Sequence, residues 1–179
     1  MLTRVLAVVA TCLLVGEGVG CGESNTRPPA PLRNVAGLTM SLTPPPGYGL
    51  LKDDGKTMAW TPDAKKGTPD APRIVLARSP TIYTDQVKRQ REPVGMLHRL
   101  TYLAQVSDSG PTALTIDGMP AYETTATALA SANNAPVRAY CVSVFAADCT
   151  LYVVAYGGGE QATENIELFR TAAKSLSFK

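Results

Sequence analysis

The sequence is short of the side chains that carry out chemistry. It holds one histidine, one tryptophan and four cysteines in 179 residues. A single histidine excludes the common zinc sites, which need clustered His and Cys. It leaves a hydrolytic triad with one base, His98, and no Gly-x-Ser-x-Gly elbow supplies a nucleophile for it. Excess charge of one sign is missing too. Seventeen Lys and Arg against 15 Asp and Glu give a net charge of +2 on 18% charged residues. That is no polybasic field, so nucleic acid is not an expected partner. No apolar run reaches the roughly 20 residues that a membrane-spanning helix needs. What is present is 45% apolar residues, which excludes wholesale disorder. The length fits one domain of about 100–200 residues, punctuated by 14 Pro and 15 Gly.

The first twenty residues read as an address. Arg4 opens a short positive start, and residues 5–15 (VLAVVATCLLV) form an apolar run interrupted only by Thr11. That is the length of a signal-peptide apolar segment. Glu17 ends the run, and Gly18-Val19-Gly20 sets small residues before Cys21. The string ending in Cys21 resembles a bacterial lipobox. The resemblance implies cleavage before Cys21, a lipid on its sulfur, and anchoring to a bacterial membrane, on the periplasmic or outer face. Gly18-Val19-Gly20 also fits the small-x-small pattern of plain secretion, and an uncleaved N-terminal anchor is the third reading. Residues 21–35 then form a Pro-rich tether. Residues 22–34 (GESNTRPPAPLRN) cannot bury enough apolar surface to fold. At about 3 Å per residue this stretch could reach up to roughly 40 Å.

Cysteine arithmetic follows from the same cut. Cys12 lies in the discarded segment, and acylation of Cys21 leaves an even pair, Cys141 and Cys149. Two thiols in an exported chain usually pair, and the loop they close could stabilise by roughly 2–3 kcal/mol. A disulfide is therefore the expectation. Against it stands the turn signal Ala146-Ala147-Asp148, which places Cys141 opposite about Val153 and Cys149 beside the turn. A disulfide needs Cα atoms within about 7 Å. The other outcome is two buried, inert thiols.

Residues 36–179 read as one α+β domain. Residues 38–42 alternate and stop at Pro44-Pro45-Pro46-Gly47, as a short strand before a turn does. Residues 56–60 and 73–77 are further short strands, and the polar stretch between them, residues 61–72, is a surface loop. Thr84 suits a helix cap, with Asp85 in the first turn. Pro93 interrupts that helix and opens a second segment. Val94, Leu97, Leu100, Thr101 and Ala104 then share one face. Residues 112–116 lead into the turn pair Asp117-Gly118, and residues 121–129 alternate like a half-buried strand. After Asn133-Asn134, residues 137–145 and 149–156 are two long β-rich segments. A last helix over residues 161–175 puts Ile166, Phe169, Ala173 and Leu176 on one face.

The order is mostly antiparallel strands flanked by helices. With residues 38–47 (LTMSLTPPPG), 116–121 (IDGMPA) and 169–178 (FRTAAKSLSF), it resembles the PsbP-like fold, shared by small bacterial envelope lipoproteins of the DcrB kind. Where that family often has Trp after the Pro-Gly turn, this chain has Tyr48. The resemblance implies a PsbP-like sandwich with an accessory or binding role. It carries over no functional residue.

The remaining features read blandly. His98 is a boundary histidine beside Arg99. Asp53-Asp54-Gly55, flanked by Lys52 and Lys56, is a solvated turn rather than a calcium loop. Gly157-Gly158-Gly159 lacks the Lys-Ser/Thr of a phosphate loop and reads as a link to the last helix. Lys88, Arg89, Arg91 and Arg99 form a cationic cluster, either a solvated helix face or a contact for anionic headgroups. Tyr48 and Trp60 are the weak candidates for a partner-binding aromatic patch, against the alternative that Trp60 anchors the core. No catalytic residue, metal or cofactor is expected. The expected function is that of a non-enzymatic, lipid-anchored protein that binds or supports an unidentified envelope protein. The alternative is a carrier or sensor of a small apolar ligand, which predicts a cavity of a few hundred Å³ between sheet and helix. A His98 hydrolase is the remaining reading.

Overall fold

The computed structural model describes residues 32–35, 37–66, 71–158 and 162–179. The signal segment of residues 1–20, Cys21, the tether as far as residue 31, part of the surface loop (residues 67–70) and Gly159 lie outside the described residues. The elements are β1 (Met40–Ser41), β2 (Tyr48–Asp53), β3 (Thr57–Pro62), a 3-10 turn (Asp63–Lys65), β4 (Arg73–Ser79), α1 (Gln86–Arg99), β5 (Leu103–Asp108), β6 (Thr112–Ile116), β7 (Met119–Ala130), β8 (Pro136–Phe145), β9 (Thr150–Gly158), α2 (Ala162–Lys174) and β10 (Ser177–Phe178). This is the expected α+β class.

Eight strands make one sheet in the order β2-β3-β4-β9-β8-β7-β5, with β6 also paired to β7. Every pairing is antiparallel. β5 and β6 follow one another along the far edge of β7, because β7 is 12 residues long and each covers half of it. The tight β6–β7 turn needs positive φ at both central residues, and Asp117 (46°) and Gly118 (77°) provide it. β1 and β10 form a separate two-stranded ribbon that ties the N-terminal segment to the C-terminus.

The helices lie on opposite faces of the sheet. Alternation along β8 separates the two cores. Tyr140, Val142 and Val144 face α2, together with Phe169, Ala173, Trp60, Ile74, Leu151 and Val153. Val137, Ala139 and Cys141 face α1, with Leu97, Ala126, Ala128 and Val154.

Several expectations change. Trp60 is buried in the α2-side core and Tyr48 packs half-buried against it, so they form no exposed aromatic patch. Asp85, not Thr84, caps α1, accepting from the Lys88 N–H at 2.8 Å. α1 runs through Pro93 unbroken. Burial of Glu92, Pro93 and Leu97 against the sheet offsets the local penalty of about 3 kcal/mol for an interior proline. The helix then stops at Arg99, so Thr101 and Ala104 leave it and Ala104 enters β5. Gly157 and Gly158 belong to β9. A Cβ on Gly157 would lie 3.1 Å from the Pro72 side chain, and one on Gly158 would lie 3.0 Å from the Pro136 carbonyl oxygen. Close strand packing accounts for these two glycines. The tether also ends earlier than residue 35. Val35 is fully buried and donates its N–H to Asp148 Oδ1 at 3.0 Å. The Arg33 carbonyl accepts from the Ala147 N–H, and its guanidinium pairs with Asp117.

Candidate functional site

A mismatch of lengths underlies an apolar, partly enclosed cavity on the α1 side of the sheet. At about 1.5 Å per residue, the 14 residues of α1 cover roughly 21 Å. At about 3.3 Å per residue, the 12 residues of β7 run nearly twice as far. The sheet therefore overhangs the C-terminal end of α1. The overhang is built largely from small residues, Ala130, Ala132 and Ala135, followed by Pro136 and Val137. They cannot fill the space that the helix leaves.

The result is a cavity of about 300 Å³. Its roof is an aromatic pair, Tyr102 from the turn after α1 and Tyr156 from β9. Their ring centroids lie 4.8 Å apart at a 38° tilt. Leu103, Val137, Lys65 and Asn133 also line it. Tyr102 is 38% exposed at the mouth. Burial nevertheless drives its hydroxyl far above the ordinary tyrosine range. Burial raises Tyr156 as well. Both hydroxyls stay protonated and can donate. The cavity has the expected size, but it lies beyond the helix end rather than between helix and sheet. A second, wider groove of about 430 Å³ lies on the other side of the same hairpin, lined by Gln105, Leu129 and Arg138 among others. It is open to solvent and presents no aromatic wall.

The buried acids lie elsewhere. Glu92 of α1, with its side chain only 7% exposed, accepts from Tyr152 Oη at 2.8 Å and pairs with Arg99 at 2.5 Å. Glu123 of β7 accepts from Tyr140 Oη at 2.8 Å and from Arg170 Nε at 3.1 Å. Each acid is paired with an arginine and accepts from a tyrosine hydroxyl, and neither is among the described residues that line the cavity. They pin a helix to each face of the sheet.

The remaining candidates are spread apart. His98, with its side chain 48% exposed, meets Asp108 of β5 at 3.2 Å, which lowers the Asp108 pKa. The cationic cluster divides. Lys88 and Arg91 face solvent, Arg99 turns to Glu92, and Arg89 bonds the Tyr83 carbonyl and lies over the Phe145 ring. Asp54 Oδ1 accepts from the N–H groups of Lys56 and Thr57, a solvated turn as expected. Cys141 and Cys149 are both free and buried. The expected disulfide is absent because Cys141 pairs in register with Val154 and faces α1, while Cys149 packs in the α2-side core. Burial pushes both thiols upward in pKa, which keeps them protonated and inert. Among the described residues no group of three or more His, Cys, Asp or Glu could hold a metal ion. No described helix is long and apolar enough to cross a membrane.

Sequence reasoning missed the cavity residues. The available signal was the alanine-rich stretch of residues 128–136 (ALASANNAP) next to two tyrosines far apart in sequence.

No protein-family model matches the chain, and no curated protein matches its sequence. Solved structures do match. LpqN, described as involved in cell envelope biogenesis of Mycobacterium tuberculosis, aligns with a TM-score of 0.62 and 17% identity over 79% of this chain and 84% of that one. Cyanobacterial PsbP from Synechocystis aligns with a TM-score of 0.55 and 13% identity over 82% of this chain and 95% of that one. At such identities the likeness concerns the fold, and with the antiparallel sheet and its two helices in place, the chain has a PsbP-like fold.

Proposed function

We propose that the chain is a bacterial envelope lipoprotein, held to a membrane by a lipid on Cys21, whose domain works by binding rather than by chemistry. The occupant that the geometry supports best is a small ligand with an apolar body. The single observation behind it is the cavity of about 300 Å³ roofed by Tyr102 and Tyr156. That volume stands at the lower end of small-molecule sites, about 300–1,000 Å³, and its mostly apolar wall with a few polar groups is their usual make-up. The apolar run before Cys21 supports the anchor. The envelope role described for LpqN, a protein of like fold, accords with that location.

Support of an envelope protein partner is the second reading. The edge strand β2 favours it, with Leu50 49% and Leu51 44% exposed beside an unpaired backbone edge.

One preparation tests both parts. Protein purified from its native membrane should show a lipid-modified Cys21 as its first residue by mass analysis. It should also carry a small molecule in native mass spectrometry. Ala130→Phe, which fills the cavity, should abolish the co-purified mass and leave the lipid in place. An unmodified N-terminus removes the anchor. A ligand-free wild-type chain removes the carrier and leaves the partner reading.

A further inference from the structure

The cavity carries a charge signature that its apolar walls conceal. Arg73 of β4 is the register partner of Tyr156, one of the two rings of the aromatic roof. Its Nε is buried and has no hydrogen-bond partner. A guanidinium nitrogen without a partner away from water is rare, because a buried donor left unpaired is costly. Its charge reaches both roof hydroxyls, favouring the ionised form of Tyr156 and of Tyr102. Lys65, at the end of the 3-10 turn, lines the cavity itself. Neighbouring Lys66 is paired with Asp63, so it is Lys65 whose charge lies at the cavity. No Asp or Glu occurs among the described lining residues.

Lys65, Tyr102, Tyr156 and the Asn133 amide therefore line an apolar chamber with no acid among its described lining residues, and Arg73 stands beside Tyr156 as its neighbour across the β4–β9 pairing. We propose that the site takes a small amphiphile with an anionic head, a carboxylate, sulfonate or phosphate, read by Arg73 and Lys65 while its apolar or aromatic body lies against Tyr102 and Tyr156. This rests on the cavity being a ligand site and adds the class of ligand. Arginine suits the role because its planar fork bonds an oxyanion through a fixed pair of donors. The aromatic roof favours a flat, polarisable body, for which offset stacking adds to burial.

The test compares two probes with the same apolar body. One is 8-anilinonaphthalene-1-sulfonate; the other is N-phenyl-1-naphthylamine, which lacks the sulfonate. Both report binding by fluorescence. The whole chain from residue 21 is used, released into solution by Cys21→Ser. Arg73→Gln should weaken the sulfonate probe by about tenfold or more, the value of one charge-assisted bond, and leave the neutral probe within about twofold. Lys65→Gln, at an exposed position, should weaken the sulfonate probe alone by a smaller factor, and it carries the comparison if the Arg73→Gln chain does not fold. Equal loss of both probes, or no loss of the sulfonate probe, overturns the anion reading. Failure of both probes to bind the wild-type chain, or binding that survives Ala130→Phe, overturns the cavity reading beneath it.

Discussion

On one side of the sheet, Phe169, Ala172 and Ala173 of α2 press onto Tyr140, Val142, Val144, Leu151 and Val153, all buried. On the other, Leu97 and Pro93 of α1 meet Ala126, Ala139 and Cys141, a thinner layer of smaller side chains. Both faces carry the same polar fastening, a Glu bonded by a Tyr hydroxyl and an Arg, buried at Glu92 and half-buried at Glu123. They differ in how far apolar side chains fill the remaining space. The α2 face is continuous with Trp60, the β1–β10 ribbon and the buried Val35. On the α1 face the helix's own apolar side chains end at Leu100, and beyond them Leu103, Ala130, Val137 and Tyr156 of the same cluster line the cavity. One face holds the fold together, and the slack of the other leaves room for a guest.

The sharpest way to break that comparison is a matched pair of truncations. Phe169→Ala should cost about 3–5 kcal/mol, and Leu97→Ala a smaller amount within the usual 2–5 kcal/mol. Urea unfolding at unchanged slope measures both. A larger loss at Leu97 would reverse the assignment of the faces. The next effect is smaller. Tyr140→Phe and Tyr152→Phe should each cost about 1 kcal/mol, the net value of a buried hydrogen bond. Thermal denaturation should place them within a few tenths of each other, since the fastenings are alike. Smaller again is the effect of reductant. With Cys141 and Cys149 free, it should leave the melting temperature unchanged, and alkylation mapped by mass spectrometry should modify neither thiol before unfolding. A reductant-sensitive melt would restore the disulfide.

The smallest effect is the acid-side contribution of His98. The hydrogen bond from His98 holds the Asp108 carboxyl below its usual pKa. A depressed carboxylate stabilises the fold above its unfolded pKa of about 4, and that stabilisation fades as pH falls through the folded value. His98→Gln should therefore cost less than about 1 kcal/mol near pH 5 and nothing near pH 2. A constant difference from pH 2 to 6 would show that the contact acts through packing instead.

What was legible in the sequence follows the same division. The hairpin β6–β7 was plain because Asp117-Gly118 is chemistry that few other conformations want. Ile166, Phe169, Ala173 and Leu176 marked the α2 face, and all four are buried. β5 was missed because Leu97, Leu100, Thr101 and Ala104 keep a helical spacing across a helix end that no Gly or Asn marks. The structure breaks that run with a β-bulge and Gln105 at a φ of 51°. The disulfide expectation failed on register: period-two alternation sends Cys141 to the α1 face, and spacing along the chain does not reveal which core a turn residue joins. Of the cavity, only the alanine-rich stretch of residues 128–136 left a trace in the sequence. The cavity comes from the difference in length between a helix and a strand, and no single residue announces it.

The docking of Arg33 and Val35 sets two ends of the domain apart. The chain enters the domain at the β6–β7 and β8–β9 turns, where Asp117 and Asp148 hold it. The Tyr102–Tyr156 mouth lies at the opposite end of β7. Twelve residues of strand at about 3.3 Å each separate the two ends, close to 40 Å. The point where the chain enters the domain and the mouth of the cavity thus stand at opposite ends of the sheet, so a change at either end leaves the other's contacts untouched.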